Sequence, residues 1–276
     1  MFMGGASLMM LRQGSFSAAS QTATTFFPIS LNTSPTITAK AAIIYDPQDG
    51  RILYSKNAAA SMPLASITKL MTSEIVLTAE SADTLVRITP SSLEPYGDWG
   101  FQKGDILPLS DLLKIGLIAS SNDAMQAAAE SLGTNYIDRM NEVSHNLGLT
   151  HTTFSNPTGL DVDSNTSGAY SSAYDVARLA ALFYSQYPSF FELTQQKDVS
   201  IMVGGRTLTA HATDEPLLAT PGLIGAKTGY TDLAGGNLVA VFDIEIGHPL
   251  VAVVLGSTKE GRFDDIQTLI TAVRKK

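Results

Sequence analysis

A serine and a lysine three residues apart stand in an otherwise mostly apolar stretch, Pro63 to Thr72, "PLASITKLMT". Pro63 is compatible with a helix start, and residues three apart on a helix share a face, with Cβ atoms about 5–6 Å apart. Lys69 can therefore reach the hydroxyl of Ser66. If burial and nearby cations lower its pKa, the neutral amine can remove the serine proton and create a nucleophile. A Ser-x-x-Lys spacing also arises by chance in a chain of this length, so the pair needs support from elsewhere.

Two further short stretches carry polar groups that could face a cleft. "ASSNDA" sets the hydroxyl of Ser120 two residues before the amide of Asn122, either at the edge of a cleft or as a helix cap. "GAKTGYT" contains Lys227, Thr228 and Gly229; on a strand the lysine and the glycine face one way and the threonine the other. A glycine here lets a ligand backbone approach closely, and an exposed edge could pair with an extended peptide. A turn is the alternative for this stretch.

The elements that must position these residues differ along the chain. "AAIIYDPQDGRILYSKN" predicts a β-hairpin around Asp49-Gly50, and "GNLVAVFDIEIGHPLVAVVLGS" predicts two more strands. "RFDDIQTLITAVRKK" has the apolar spacing of a helix that packs on a sheet. The middle predicts helices over 66–80, 109–132, 135–147 and 172–186, the last with a capping box from Ser172 to Asp175.

We therefore predict an α/β fold of the α+β type. An antiparallel sheet of about five strands is built from both ends of the chain, and a helical lobe, about residues 70–200, is inserted between them. The folded domain is assigned to residues 37–276.

Residues 1–36 are expected to be a leader and a linker rich in Ser and Thr. The apolar run Met1–Leu11 is about half the ~20 residues of a membrane span, and "SAAS" at Ser17–Ser20 could form a cleavage site. An export signal, an anchor remnant and a disordered start all stay open, and any membrane association is expected at the N-terminus.

The composition excludes several classes of function. The 276 residues carry a formal net charge of −8 and a pI near 4.9, which argues against a nucleic-acid partner. The absence of cysteine excludes disulfides and thiolate metal sites, and the four histidines lack ligand spacing. We expect no metal and no cofactor.

In order, the three motifs resemble the signature of the penicillin-binding proteins and β-lactamases. Longer stretches, "KGDILPLSDLLKIGLIASSNDAMQAAAE", "FSNPTGLD" and "IGAKTGYTDLAGGNLVAV" among them, resemble the low-molecular-mass D-alanyl-D-alanine carboxypeptidases, over roughly residues 38–275. The resemblance implies the β-lactamase/DD-peptidase-like fold. It also implies a serine peptidase that removes the terminal D-alanine from peptidoglycan stem peptides without a cofactor and binds β-lactams covalently. The expected location is extracytoplasmic, in the periplasm or cell envelope.

The resemblance also implies a role for each matching residue. Ser66 would be the nucleophile, Lys69 its general base, and Ser120 a proton relay between the two lysine amines and the leaving group. Lys227 would supply the second cation. The expected substrate-binding residues are Asn122, Thr228, Gly229, Tyr230 and Arg262, and the backbone N–H groups of Ser66 and Tyr230 would form the oxyanion hole.

The chain departs from the family pattern before the Lys-Thr-Gly motif. Some relatives carry an arginine shortly before the "LL" of that region, whereas this chain has "HATDEPLL". Arg262, in "STKEGRFDD", matches another arginine of the family and is the candidate cation for the terminal carboxylate of the substrate. A DD-endopeptidase is the main alternative, since such enzymes share all three motifs. A β-lactamase is disfavoured because the chain lacks a suitably placed loop glutamate, and a non-catalytic β-lactam sensor has no marker here.

Overall fold

The computed structural model describes residues 35–97 and 99–274. The predicted leader and all but the last two residues of the 1–36 segment therefore lie outside the described residues. The strands are β1 Ala41–Asp46, β2 Arg51–Lys56, β3 Met62–Pro63, β4 Leu85–Arg87, β5 Ile106–Pro108, β6 Thr153–Phe154, β7 Ala169–Ser171, β8 Asp198–Val203, β9 Arg206–His211, β10 Leu223–Thr231, β11 Gly235–Asp243 and β12 Pro249–Ser257. The helices are α1 Lys69–Ala79, α2 Leu109–Ile118, α3 Asn122–Glu130, α4 Tyr136–Asn146, α5 Ala173–Gln186, α6 Pro188–Glu192 and α7 Gly261–Arg274.

The main sheet has five antiparallel strands in the order β10-β11-β12-β1-β2. Two of these strands come from the N-terminal end of the domain and three from the C-terminal end, which confirms the predicted fold class. The predicted hairpin is the β1–β2 pair, and Gly50 in its turn has φ +75°. Three small sheets, β3-β7-β6, β4-β5 and β8-β9, lie outside the main sheet.

The main sheet is buried on both faces, which explains its almost continuous apolar strands. Along β1, Ala41 and Ile43 pack into a core shared with the helical lobe. Ala42 and Ile44 pack into a second core with α7. Helix α7 therefore covers the sheet as its apolar spacing predicted.

The predicted helix over 109–132 is wrong as a single element, because the chain breaks between α2 and α3. Ser120, at the break, has φ +61°, a left-handed conformation that a helix cannot contain. Ser121 then caps α3, its Oγ accepting a hydrogen bond from Ala124 N at 3.1 Å. The cap predicted at Ser172 is confirmed, since its Oγ accepts from Asp175 N at 3.0 Å.

Among the residues that the structure describes, no helix combines the length and apolar content that a membrane crossing requires. Within the same part of the chain, no three or more histidine or carboxylate side chains converge as a metal site.

Candidate active site

Ser66, the predicted nucleophile, lies on a short 3-10 turn between β3 and α1, Ala65–Thr68 (the nucleophile turn), and is half-buried. It is therefore not on the regular helix that its spacing from Lys69 suggested. The turn is entered through Ala65 at φ +49°, a strained left-handed conformation for a residue with a Cβ. Lys69 is the first residue of α1 and is fully buried, with its Nζ 2.8 Å from Ser66 Oγ.

The amine of Lys69 has three oxygen neighbours. Besides Ser66 Oγ, it donates to Asn122 Oδ1 and to the carbonyl of Thr158, both at 2.8 Å. A neutral amine has two N–H donors and one lone pair, so it can donate to the amide and the carbonyl and accept from the serine hydroxyl. Burial, and secondly the cation of Lys227, hold the pKa of Lys69 well below its ordinary value. The geometry and the charge distribution therefore both suit a general base.

The carbonyl of Thr158 is presented by a tight turn from Asn156 to Gly159. Asn156 Oδ1 accepts from Thr158 N at 3.1 Å and from Gly159 N at 2.7 Å. Gly159 has φ +80°, and a Cβ there would lie 1.9 Å from the carbonyl oxygen of Ala65. Only glycine lets this turn approach the nucleophile turn so closely. The stretch "FSNPTGLD" contributed to the family resemblance, but its contact with Lys69 was not predicted.

The break between α2 and α3 places the second motif, Ser120 and Asn122, within hydrogen-bond distance of the two lysines. Ser120 Oγ accepts a hydrogen bond from Lys227 Nζ at 3.0 Å. Asn122 donates from Nδ2 to the carbonyl of Tyr96 at 2.6 Å, while its Oδ1 faces Lys69. Among the described residues, the hydrogen bonds of Lys69 do not include Ser120, so the two lysines hold different members of this motif.

Strand β10 brings the third motif against the nucleophile turn. A Cβ on Gly229 would lie 2.9 Å from the carbonyl oxygen of Leu64 and 3.1 Å from the backbone nitrogen of Ser66, so a side chain would push the strand away. Thr228 Oγ1 donates to Thr213 Oγ1 at 2.6 Å. Tyr230 is 45% exposed, and the Nζ of Lys259 lies 5.4 Å from its ring centroid.

Lys227 is almost fully buried and donates to the carbonyl of Thr228 as well as to Ser120. Burial lowers the pKa of Lys227 to about 7; the carboxylate of Asp214 opposes this shift and Arg262 adds to it.

Arg262, at the start of α7, is only 6% exposed and donates from Nη1 to the carbonyl of Gly229 at 2.7 Å. Its guanidinium therefore contacts the backbone of the Lys-Thr-Gly strand. Burial lowers its pKa, partly offset by Glu260. The structure thus brings all the predicted site residues to one region, with Arg262 attached to the strand.

Thr213 and Asp214 also belong to this region, and sequence reasoning missed them. Thr213 Oγ1 accepts a hydrogen bond from the hydroxyl of Thr228, and the backbone N–H of Thr213 donates to the carbonyl of Ile118 at 3.1 Å. Asp214 is 2% exposed. The stretch "HATDEPLL" was considered only for its missing arginine, and its position just before the Lys-Thr-Gly motif was the available signal.

This fold is that of the penicillin-binding protein class. Penicillin-binding protein D2 from Listeria monocytogenes, in its ampicillin-bound form, superposes with a TM-score of 0.77 at 30% identity, covering 87% of this chain and 98% of that one. The chain belongs to the D-alanyl-D-alanine carboxypeptidase family, peptidase S11, whose family model matches residues 29–259.

Two curated relatives carry different activity names. D-alanyl-D-alanine carboxypeptidase DacF of Bacillus subtilis (strain 168) is 30% identical over 220 residues, 73% of this chain and 53% of the relative. A D-alanyl-D-alanine endopeptidase of Pseudomonas aeruginosa is 31% identical over 210 residues, 72% of this chain and 65% of the relative. The chain therefore spans about half to two thirds of the length of these relatives.

Proposed function

We propose that the chain is a serine-type D-alanyl-D-alanine carboxypeptidase acting on peptidoglycan stem peptides. The observation that carries this proposal is the buried amine of Lys69, 2.8 Å from Ser66 Oγ and depressed in pKa by burial and by a second lysine. Family membership and the relatives named as carboxypeptidases support the same activity.

In the proposed reaction, Ser66 Oγ attacks the carbonyl carbon of the penultimate D-alanine while Lys69 takes the hydroxyl proton. The new C–O bond forms a tetrahedral intermediate, and the backbone N–H groups of Ser66 and Tyr230 stabilise its oxyanion. The C–N bond then breaks, and the leaving D-alanine amine takes a proton from Ser120, which Lys227 resupplies. Water then attacks the ester carbonyl carbon while its proton passes through Ser120 to Lys227. The ester C–O bond breaks, and Ser66 Oγ takes back the proton held by Lys69, which restores the free enzyme.

The substrate is held by the remaining groups. Asn122 binds the amide on the acyl side: one N–H of its Nδ2 donates to the carbonyl of Tyr96, and the second can donate to the substrate carbonyl. Thr228 receives the terminal carboxylate, with Gly229 leaving room for the substrate backbone. We assign to Arg262 an indirect contribution to this carboxylate site, because the guanidinium is engaged with the carbonyl of Gly229 and adds positive charge nearby.

The assignment extends to location and organisation. Residues 37–276 are proposed to form the catalytic domain, with the helical lobe of about 70–200 inserted in it. Because peptidoglycan lies outside the cytoplasmic membrane, we infer an extracytoplasmic location, with any membrane attachment near the N-terminus. The Listeria relative binds ampicillin, and β-lactams are proposed to acylate Ser66 in this chain.

A DD-endopeptidase is the second candidate, and one observation favours it: a relative of similar identity carries that name. Carboxypeptidase and endopeptidase differ in the group on the leaving side of the scissile bond, which is a free D-alanine for the first and a cross-linked side chain for the second.

The test combines a fluorescent penicillin, a pentapeptide ending in D-Ala-D-Ala and a cross-linked muropeptide dimer. We expect covalent labelling and release of free D-alanine, both lost in Ser66→Ala. Ser61→Ala, an exposed serine five residues earlier, is the matched control and should keep both activities. Labelling that survives Ser66→Ala contradicts the mechanism, and cleavage of the dimer without D-alanine release favours the endopeptidase.

A further inference from the structure

Asp214 carries a buried carboxylate that receives no hydrogen bond from any other described residue. Both oxygens are inaccessible, and the residue is only 2% exposed. A buried carboxylate in this condition costs several kcal/mol of solvation unless a cation compensates it. Its retention beside the site therefore calls for an electrostatic explanation.

The segment that holds Asp214 is attached on both sides of the bond between Lys227 and Ser120. Thr213, its neighbour, accepts from Thr228 Oγ1, which follows Lys227 in β10. The backbone N–H of Thr213 donates to the carbonyl of Ile118, at the end of α2 just before Ser120. The carboxylate is thus held, buried, in the same region as the amine of Lys227, with which it interacts electrostatically.

The charges around this pair come from three elements. The cation of Lys227 on β10 lowers the pKa of Asp214. The cation of Arg262 on α7 lowers the pKa of Lys227, and the cation of Lys227 lowers the pKa of Lys69 on α1. The next carboxylate along the chain, Glu215, is half-exposed and forms an ion pair with Lys197 at 2.7 Å. Among the described residues, Asp214 is therefore the buried carboxylate that interacts with Lys227.

We propose that Asp214 is a positioning residue for acyl transfer: its buried carboxylate is the counterion that keeps Lys227 protonated while Lys69 stays neutral. Burial and Arg262 both drive Lys227 towards the neutral amine, and Asp214 is the group that opposes them. A neutral Lys227 would no longer disfavour protonation of Lys69, and it would attract an anionic substrate less strongly. This inference deepens the proposed function and rests on it for its catalytic consequence.

The same arrangement couples two protons. Burial raises the pKa of Asp214 to about 7, and the pKa of Lys227 falls to about 7, so the carboxyl and the amine titrate over one pH range. Below that range Lys227 is protonated whatever the state of Asp214, and above it the amine loses its cation. Removing the carboxylate of Asp214 must therefore lower the pH at which Lys227 loses its proton.

The experiment is a titration of the free protein with ¹³C-labelled lysine side chains, followed by NMR. The Lys227 signal is assigned by its loss in Lys227→Arg. We expect Asp214→Asn to lower the pKa of Lys227 by about one unit or more. The alkaline limb of penicillin acylation should move to lower pH by the same amount. Glu215→Gln, which removes a carboxylate one residue away, should change neither, and Asp214→Glu should restore both.

An unchanged or raised pKa of Lys227 in Asp214→Asn overturns the proposal, as does an equal shift in Glu215→Gln. Should the asparagine variant fail to fold, ¹³C-labelled aspartate in the wild-type chain decides: Asp214 must titrate together with Lys227, and a carboxyl that titrates near pH 4 refutes the pairing. A wild-type chain that releases no D-alanine contradicts the proposed function alone, because both NMR titrations are independent of substrate.

Discussion

Gly159 offers the most direct test of how the fold positions Lys69, the proposed general base. An alanine there must place its Cβ 1.9 Å from the carbonyl oxygen of Ala65 and 2.7 Å from Thr68 Oγ1. Both distances are shorter than real Cβ contacts, and the nearest atom is backbone, so the 156–159 turn must move. That movement takes the carbonyl of Thr158 away from Lys69 Nζ, 2.8 Å away in the wild-type chain.

The loss of stability in Gly159→Ala is the sum of two separable costs. Gly159 has φ +80°, and an L-residue in the left-handed region costs about 1–2 kcal/mol. Overpacking against the nucleophile turn adds about 1–3 kcal/mol. We therefore expect the free energy of unfolding to fall by about 2–5 kcal/mol, and a base displaced by about 1 Å to slow acylation by about 10²-fold.

Gly133→Ala is the matched control, because Gly133 has φ +86° but open space where a Cβ would stand. It carries the conformational cost alone and should acylate at the wild-type rate. The measurements are urea unfolding and single-turnover acylation by a fluorescent penicillin. If Gly159→Ala is no less stable than Gly133→Ala, or acylates at the wild-type rate, then the close approach of the turn does not position Lys69.

Two further predictions use charges in the site and in the core. Acylation should follow a bell-shaped pH profile. The rate rises with pH as Lys69, whose pKa is depressed, loses its proton, and it falls as the pH passes about 7, where Lys227 loses its proton. A stopped-flow profile that is flat through pH 7 would contradict the role of Lys227. Asp265→Ala should lower the free energy of unfolding by about 3 kcal/mol, because the buried carboxylate accepts from Thr38 N, Thr38 Oγ1, Ala39 N and Ser257 Oγ. Exposed Asp264→Ala is the control for urea unfolding, and equal effects of the two variants would show that those bonds contribute nothing.

The sheet was predictable because its strands carry their own local information. Two apolar runs around the Asp49-Gly50 turn identified the β1–β2 hairpin, and the long apolar runs near the C-terminus matched strands buried on both faces. The break at Ser120 was not predictable from periodicity, because apolar residues continue on both sides of it. A polar residue at positive φ within an apolar run leaves almost no trace in the pattern.

The residues of the candidate site likewise fall into those that the sequence predicted and those that it did not. Residues whose side-chain chemistry is distinctive, such as Lys69 and Lys227, were found from the three motifs. Thr158 was missed because it contributes only a carbonyl, which every residue has. Asp214 was missed because an isolated aspartate in a polar stretch is ordinarily a solvated surface group, and its burial depends on how residues 213–217 fold against β10 and α2.

The weakness of each motif alone has a structural cause. The contacts of Lys69 reach 53 residues along the chain to Asn122 and 89 residues to Thr158, and Lys227 reaches 107 residues back to Ser120. Each of these bonds joins separate elements, and the Lys227–Ser120 bond also requires β10 of the main sheet to lie against the break between α2 and α3, so no local segment possesses the chemistry. Because β10 belongs to that sheet and also presses Gly229 against the nucleophile turn, any change that loosens the β10–β11 pairing should reduce acylation before it reduces helix content. The amines of Lys69 and Lys227 are thus kept buried, and their pKa values depressed, by the same long-range packing that defines the fold.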